Sequence, residues 1–259
     1  MTYCVAMRLQ GGLVLLADTR THAGVDDIAR YRKLFTWTQP GERVIALMTA
    51  GNLAMTQAVI SLLQERIDTP EPGVDNLMSA PSMFRVAELV GDAMRETQER
   101  YGPGLTAMNE NGVATIVLAG QRQGGQLRLF MIYSAGNFIE ATDDTPFFQI
   151  GEHKYGKPIL DRVITPTTSL IDAKTAALLS MDSTMRSNLS VGMPLDLAVI
   201  PRDALAFQEL RRIEPDDPEF HGLSQAWSEL MRDAFVQARR RVAENGGGTP
   251  APFGADQEG

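Results

Sequence analysis

The apolar run LVLLA at residues 13–17, following an alternating segment and a pair of glycines, limits the fold of this chain more than any other stretch. Residues 2–9 place Tyr3, Val5, Met7 and Leu9 on one face and Thr2, Cys4, Ala6 and Arg8 on the other, which is the period of a strand. Gln10-Gly11-Gly12 supplies a hairpin turn, because glycine reaches positive φ without a Cβ clash. Leu13–Ala17 then returns with apolar side chains on both faces. Such a strand belongs in a sheet covered on both sides.

Further along, Tyr31–Thr38 and Arg43–Thr49 pair about the turn Gln39-Pro40-Gly41-Glu42. After Gly51 the period lengthens. Leu53, Val59, Ile60, Leu62, Leu63 and Ile67 fall at helical spacing with Asn52 as N-cap, and Asp68–Pro81 reads as a loop. Met83–Tyr101 is helical through Val86, Leu89, Val90 and Met94. Strands are expected at Val113–Ala119, Leu127–Tyr133, Phe138–Ala141 and Pro146–Ile150, helices near His153–Val163 and Ile171–Ser187, and closing strands at Leu195–Ile200 and Ala204–Leu210. This order suits layered αββα packing within an α+β fold rather than strict βαβ alternation. The expected organisation is one domain over residues 2–210, a C-terminal helix over 219–245, and a disordered tail over 246–259.

Composition removes several function classes. The 259 residues carry 24 Lys and Arg against 32 Asp and Glu, a formal charge of −8, without the basic stripe of a nucleic-acid binder. A single cysteine, Cys4, excludes an intramolecular disulfide framework and fits a reducing compartment. Three scattered histidines and no cysteine cluster give no zinc pattern, so neither metal nor cofactor is expected. No run approaches the roughly 18 apolar residues of a membrane span, and the first residues lack the basic-then-apolar order of a signal sequence. A cytoplasmic location is expected.

Several segments together carry a resemblance. TYCVAMRLQGGLVLLADTRT resembles the first hairpin of the proteasome-like threonine peptidases, and RKLFTW with GERVIALMTAGNLA resembles their next strands and the glycine turn into the first helix. FFQIGEHKYGKPIL and SNLSVGMPLDLAVI resemble later strand-to-helix and helix-to-strand segments of that family. The likeness spans roughly residues 2–200, and the opening and the extra C-terminal helix look most like the bacterial ancestral β-subunit branch, Anbu. The resemblance implies a four-layer αββα sandwich of the N-terminal nucleophile hydrolase type, peptide or amide substrates, self-assembly into a ring or helical homo-oligomer, and an ATPase as a possible partner.

Chemistry explains why threonine would stand at position 2. Removal of Met1 would leave an α-amine and a hydroxyl on one residue, so that nucleophile and base coincide. An α-amine titrates near about 7.7–8.0, close to operating pH, and can take the hydroxyl proton directly or through a water. The resemblance adds Lys33, whose ammonium would lower the pKa of the Thr2 amine and hydroxyl, and Asp18, which would keep Lys33 charged and fixed. Gly51, where a strand feeds a helix, would point its N–H at an oxyanion. Arg20 occupies the place of a residue that braces the site.

Two departures from the family pattern stand out. Glu152 replaces the serine that usually follows the glycine of the segment IGEHKYG, and Ser187 and Ser190 fall where the family carries an aspartate and a serine. The network tuning the amine is therefore altered, and a weak or narrowly specific peptidase is expected. Two alternatives stay open: a non-catalytic ring or scaffold subunit of the same fold, and an amidase of another N-terminal nucleophile branch.

The simpler readings of other residues are retained. Cys4 reads as a small buried hydrophobe, Glu152 and His153 as a surface pair at a helix start, and the arginines at 239–241 as a solvated helix end. One structural condition follows from the proposed site. A three-residue turn over residues 10–12 pairs Cys4 with Asp18 and places Thr2 and Asp18 on one face, whereas a two-residue turn points them to opposite faces.

Overall fold

The turn of the first hairpin has two residues. In a computed structural model, described over residues 2–22 and 28–245, Leu9 pairs with Gly12 and Cys4 with Ala17, so only Gln10 and Gly11 lie in the loop. This corrects the expected pairing of Cys4 with Asp18. The reason lies in the neighbouring strand rather than in the turn. Gly12 is already part of the ladder, and a Cβ there would stand 2.2 Å from the carbonyl oxygen of Ile200. The second glycine meets the demands of sheet packing, not of the reversal.

The hairpin strands, β1 (Tyr3–Leu9) and β2 (Gly12–Asp18), sit inside a five-stranded sheet. Its order is β10-β1-β2-β11-β12, with β10 Phe147–Gly151, β11 Leu195–Pro201 and β12 Glu209–Ile213. A second five-stranded sheet, in the order β5-β6-β7-β8-β9, is built from β5 (Leu34–Gln39), β6 (Arg43–Gly51), β7 (Ala114–Arg122), β8 (Arg128–Tyr133) and β9 (Phe138–Glu140). Every pairing is antiparallel. A two-stranded ribbon, β3 (Arg20–His22) with β4 (Ile28–Arg30), projects between β2 and β5 and had no counterpart in the sequence reading.

Side chains between the sheets form one apolar layer that includes Cys4, Ala6, Leu15, Ala17, Leu34, Met48, Val117 and Phe148. The outer face of the second sheet meets α1 (Leu53–Asp68) and α2 (Met83–Ala107) through Ile45, Leu47, Val59, Val90 and Leu118. Against β1 and β2 of the first sheet lies α4 (Leu170–Ser187), and α3 (Lys157–Val163) packs on α4. The chain therefore forms a four-layer αββα sandwich of the N-terminal nucleophile type. Burial on both faces explains the unbroken apolar run of β2.

Some boundaries differ from the sequence reading. β12 begins at Glu209 rather than Ala204, because Asp203 and Leu205 adopt φ of 61° and 51°, which no strand accommodates. β5 begins at Leu34, since the Tyr31 amide is drawn to the Thr19 carbonyl. α2 continues past Tyr101 through Pro103 to Ala107.

Two compact units divide after Pro215. The second contains α5 (Pro218–Asn245), on which Leu230, Met231 and Phe235 are exposed. The expected disordered tail at 246–259 lies outside the described residues. Among the described residues, no helix is long and apolar enough to cross a membrane, and no cluster of three or more His, Cys, Asp or Glu stands ready for a metal ion.

Leu15 is fully buried between the sheets. Leu15→Ala is expected to cost about 2–5 kcal/mol by loss of transfer energy and creation of a cavity. Urea unfolding should show a lowered midpoint with an unchanged m-value.

Candidate active site

The chemistry-bearing residues gather where β1 begins, β2 ends and β5 begins. Thr2 precedes β1 and is 8% exposed. Its peptide link to Tyr3 is held from both sides. The Thr2 carbonyl accepts from the Glu152 amide at 2.8 Å, and the Tyr3 amide donates to Asp18 Oδ1 at 3.0 Å. Gly151 makes the first contact possible. At φ 83° it lies so close that a Cβ would stand 1.8 Å from the Thr2 carbonyl oxygen. Only glycine fits there.

Asp18 and Lys33 form an ion pair of 2.7 Å, with side-chain exposures of 0% and 4%. Lys33 Nζ also donates to the Arg20 carbonyl at 2.6 Å, and its own carbonyl accepts from the Thr49 amide at 3.0 Å. The other Asp18 oxygen faces the Gly192 amide at 3.4 Å. Burial raises the Asp18 pKa above the ordinary carboxylate value, opposed by the Lys33 ammonium and by the amides of Tyr3 and Gly192. A buried carboxylate is thus held by one cation and two backbone donors.

The two-residue turn does not separate Asp18 from Thr2, although strict alternation along the hairpin says it should. Both residues stand at strand ends, Thr2 just outside β1 and Asp18 the last residue of β2. There the carboxylate reaches the main chain behind Thr2 rather than its side chain. A shared face is therefore unnecessary.

Arg20 touches the site with its carbonyl, while its guanidinium donates to the Leu189 carbonyl at 2.9 Å and covers Gly192, where a Cβ would meet the guanidinium carbon at 2.4 Å. Arg20 thereby ties the loop after α4 to the ribbon. Gly51 ends β6 at φ 106°, two residues beyond Thr49, and a Cβ on it would stand 2.3 Å from the Val113 carbonyl oxygen. It is exposed, and α1 starts immediately beyond it with the Asn52 side chain capping the Met55 amide. Backbone donors of a helix N-terminus therefore open beside it.

Ser190 is half-buried in the loop that also carries Leu189 and Gly192, and its amide donates to Asn188 Oδ1 at 2.9 Å. Ser187 ends α4, exposed, and among the described residues its hydroxyl bonds to none of Thr2, Asp18 and Lys33. Cys4 is fully buried, and burial pushes its thiol pKa up, which suits an inert core position. The His153 ring meets the Gly151 carbonyl at 3.2 Å. Met1 lies outside the described residues.

Sequence reasoning missed Tyr3, Gly151, Thr19 and Gly192. Thr19 is buried and its hydroxyl donates to the Pro194 carbonyl at 2.7 Å, anchoring the end of β2 to the start of β11. Gly151 carried a signal, a glycine closing a strand before a helical segment. Gly192 and the Tyr3 amide act through the main chain, and the Thr19 hydroxyl meets a carbonyl 175 residues away, so no local side-chain pattern advertises them.

The family model for the proteasome subunit matches residues 2–200. The chain belongs to the proteasome subunit family. Among solved structures it is similar to the Anbu (Gly-1) mutant from Hyphomicrobium sp. strain MC1, at 54% identity over 91% of this chain and 97% of that one, with a TM-score of 0.84. Anbu (ancestral beta-subunit) from Yersinia bercovieri is 49% identical over 91% of this chain and 96% of its own, with a TM-score of 0.85. The Anbu complex from Pseudomonas aeruginosa, described as a helical assembly, is 46% identical over 98% and 99%, with a TM-score of 0.85. No curated protein matches. The sequence resemblance to the Anbu branch agrees with these likenesses.

Lys33→Met alone is expected to destabilise the fold by about 3–5 kcal/mol, since it strands a buried carboxylate, whereas Lys33→Met with Asp18→Leu recovers much of the loss. The sign with pH follows from the raised Asp18 value. Without Lys33, the folded state holds the Asp18 proton more tightly than the unfolded chain. Stability is retained below the ordinary carboxylate pKa of about 4 and falls as pH rises through the raised value. Denaturation of the single variant at acidic and neutral pH should show the larger penalty at neutral pH.

Proposed function

We propose that this family member is a threonine-type peptidase or amide hydrolase that uses Thr2 as an N-terminal nucleophile. The observation that carries this reading is the buried Asp18–Lys33 pair, bonded to the peptide link that follows Thr2. Once the residue ahead of Thr2 is removed, its α-amine takes the proton from Oγ1, and Oγ1 bonds to the substrate carbonyl carbon. The negative charge moves to the carbonyl oxygen, where the Gly51 N–H and the opening of α1 stabilise it. Collapse breaks the C–N bond, and the α-ammonium returns its proton to the leaving amine. An ester on Thr2 remains. The α-amine next deprotonates a water, which attacks the ester and releases a carboxylic acid with recovery of the hydroxyl.

Lys33 contributes a fixed positive charge that favours the neutral amine and the developing oxyanion, and Asp18 holds that charge in place. Arg20 and the Ser190 loop brace the pair, while the peptide amide of Glu152 holds the Thr2 carbonyl. With Glu152 and Ser187 in place of the family's usual serine and aspartate, turnover is slow or narrow in substrate range. Self-assembly into a ring or helical homo-oligomer in the cytoplasm is part of the same reading, supported by the helical assembly of the Pseudomonas aeruginosa relative. Peptides or small amides are the substrates, and an ATPase is a candidate partner for their delivery.

Intact-mass analysis before and after treatment with a peptide vinyl sulfone tests the reading. Expected are loss of Met1 and a gain of one probe mass on Thr2, as Oγ1–H adds across the probe's double bond. Thr2→Ala should take up no probe, and Thr2→Ser should retain part of the reactivity. Retained Met1, or an unmodified Thr2 in processed protein, would move the assignment to a non-catalytic assembly subunit.

A further inference from the structure

We infer that Tyr3 is a positioning residue for Thr2, acting through a buried hydroxyl network that ties the nucleophile to α4. The inference rests on the peptidase reading above and adds a residue to it. Tyr3 has no solvent exposure, yet its phenol meets polar groups rather than apolar ones. Its Oη is hydrogen-bonded to Ser180 Oγ of α4 and accepts from Gln149 Nε2 of β10 at 2.6 Å. Ser180 is itself fully buried, and its carbonyl accepts from the Thr184 hydroxyl at 2.8 Å. Gly156 leaves the space these hydroxyls occupy, since a Cβ there would stand 2.2 Å from Ser180 Oγ and 2.6 Å from Tyr3 Oη.

Packing alone gives no reason for this cluster. A phenylalanine at position 3 with an alanine at position 180 would fill nearly the same space without burying two hydroxyls, so the pair is kept for its bonds rather than for its volume. Burial pushes the phenol up to about 12, which keeps it protonated over the working pH range and leaves its hydrogen bonds unswitched. The purpose follows from position. The first residues of a domain ordinarily fray, whereas a nucleophile must hold its geometry to within about 0.5 Å.

Tyr3 is the first residue able to resist fraying from both sides. Its amide is bonded to Asp18, and its side chain reaches the helix layer on the far face of the sheet. Because α4 also leads into the loop whose Gly192 faces Asp18, the anchor closes a circuit from Thr2 through Tyr3, Ser180, α4, Gly192 and Asp18 back to the Tyr3 amide. Thr2 is thereby referenced to α4 as well as to the hairpin.

The test compares full-length wild type, Tyr3→Phe, Ser180→Ala and Leu89→Ala. Leu89 is a buried residue of α2, in the core between that helix and the second sheet, so its variant reports what a loss of stability alone does. For each protein, thermal midpoints, Met1 removal, and the limiting rate and half-saturating concentration of Thr2 modification by a peptide vinyl sulfone are measured. Displacement by about 1 Å costs on the order of 100-fold in rate. Tyr3→Phe and Ser180→Ala should therefore lose roughly 10- to 100-fold in limiting rate, with half-saturation changed less than about two-fold. Leu89→Ala should keep the wild-type rate despite an equal or larger fall in midpoint.

Wild-type labelling rates in both hydroxyl variants, or a rate loss in Leu89→Ala matching theirs, would overturn the positioning role while leaving Thr2 as nucleophile. Should Tyr3→Phe fail to fold, Ser180→Ala decides the question alone. A wild type that takes up no probe would instead remove the peptidase reading and this inference with it.

Discussion

A lysine and an aspartate taken out of water together set the terms for this molecule. The Asp18–Lys33 pair joins the end of one sheet to the beginning of the other, with Asp18 closing β2 and Lys33 opening the path into β5. Such a pair is weak evidence for stability, because desolvation consumes much of the attraction. It is retained with three further backbone contacts: the Tyr3 and Gly192 amides on the carboxylate, and the Arg20 carbonyl on the ammonium. Each draws a different segment to one point. The ribbon, the loop after α4 and the first residues of β1 are all located relative to that charge pair.

The layers around it answer a different demand. β2 is apolar on both faces and needs a sheet above and a helix layer below, which the αββα arrangement supplies. Glycine is used where backbones approach more closely than a Cβ allows, as at Gly12 against Ile200 and Gly151 against Thr2. Apolar burial holds the sandwich together, and a few glycines and main-chain bonds at one end convert it into a site. The core and the site are therefore separable: residues at that end can change while the sandwich stays the same.

Most of the layer order was legible in the sequence, because the periods of 2 and 3.6 change cleanly at Gly51, at the 108–113 segment and after Gly151. The meeting of Asp18 and Lys33 beside the start of β1 was also legible, through the motifs of the first fifty residues. The turn register was not. Gln10-Gly11-Gly12 admits a loop of two or three residues, and the choice rests on the Ile200 carbonyl, nearly two hundred residues away. The β3–β4 ribbon was missed because three-residue strands carry too little pattern to register.

Ser187 and Ser190 show the same divide between motif and geometry. One ends a helix in solvent, and the other lies in the loop that braces Asp18. By itself the sequence determined the alternation of layers, the burial of the first hairpin and the residue types capable of amide chemistry. These follow from local periodicity and side-chain chemistry, which travel with the chain. Only the tertiary structure decided the register, the contact of Asp18 with the main chain behind Thr2, and the anchoring of Tyr3 on Ser180. Those depend on the close approach of backbones distant in sequence, which no local pattern encodes.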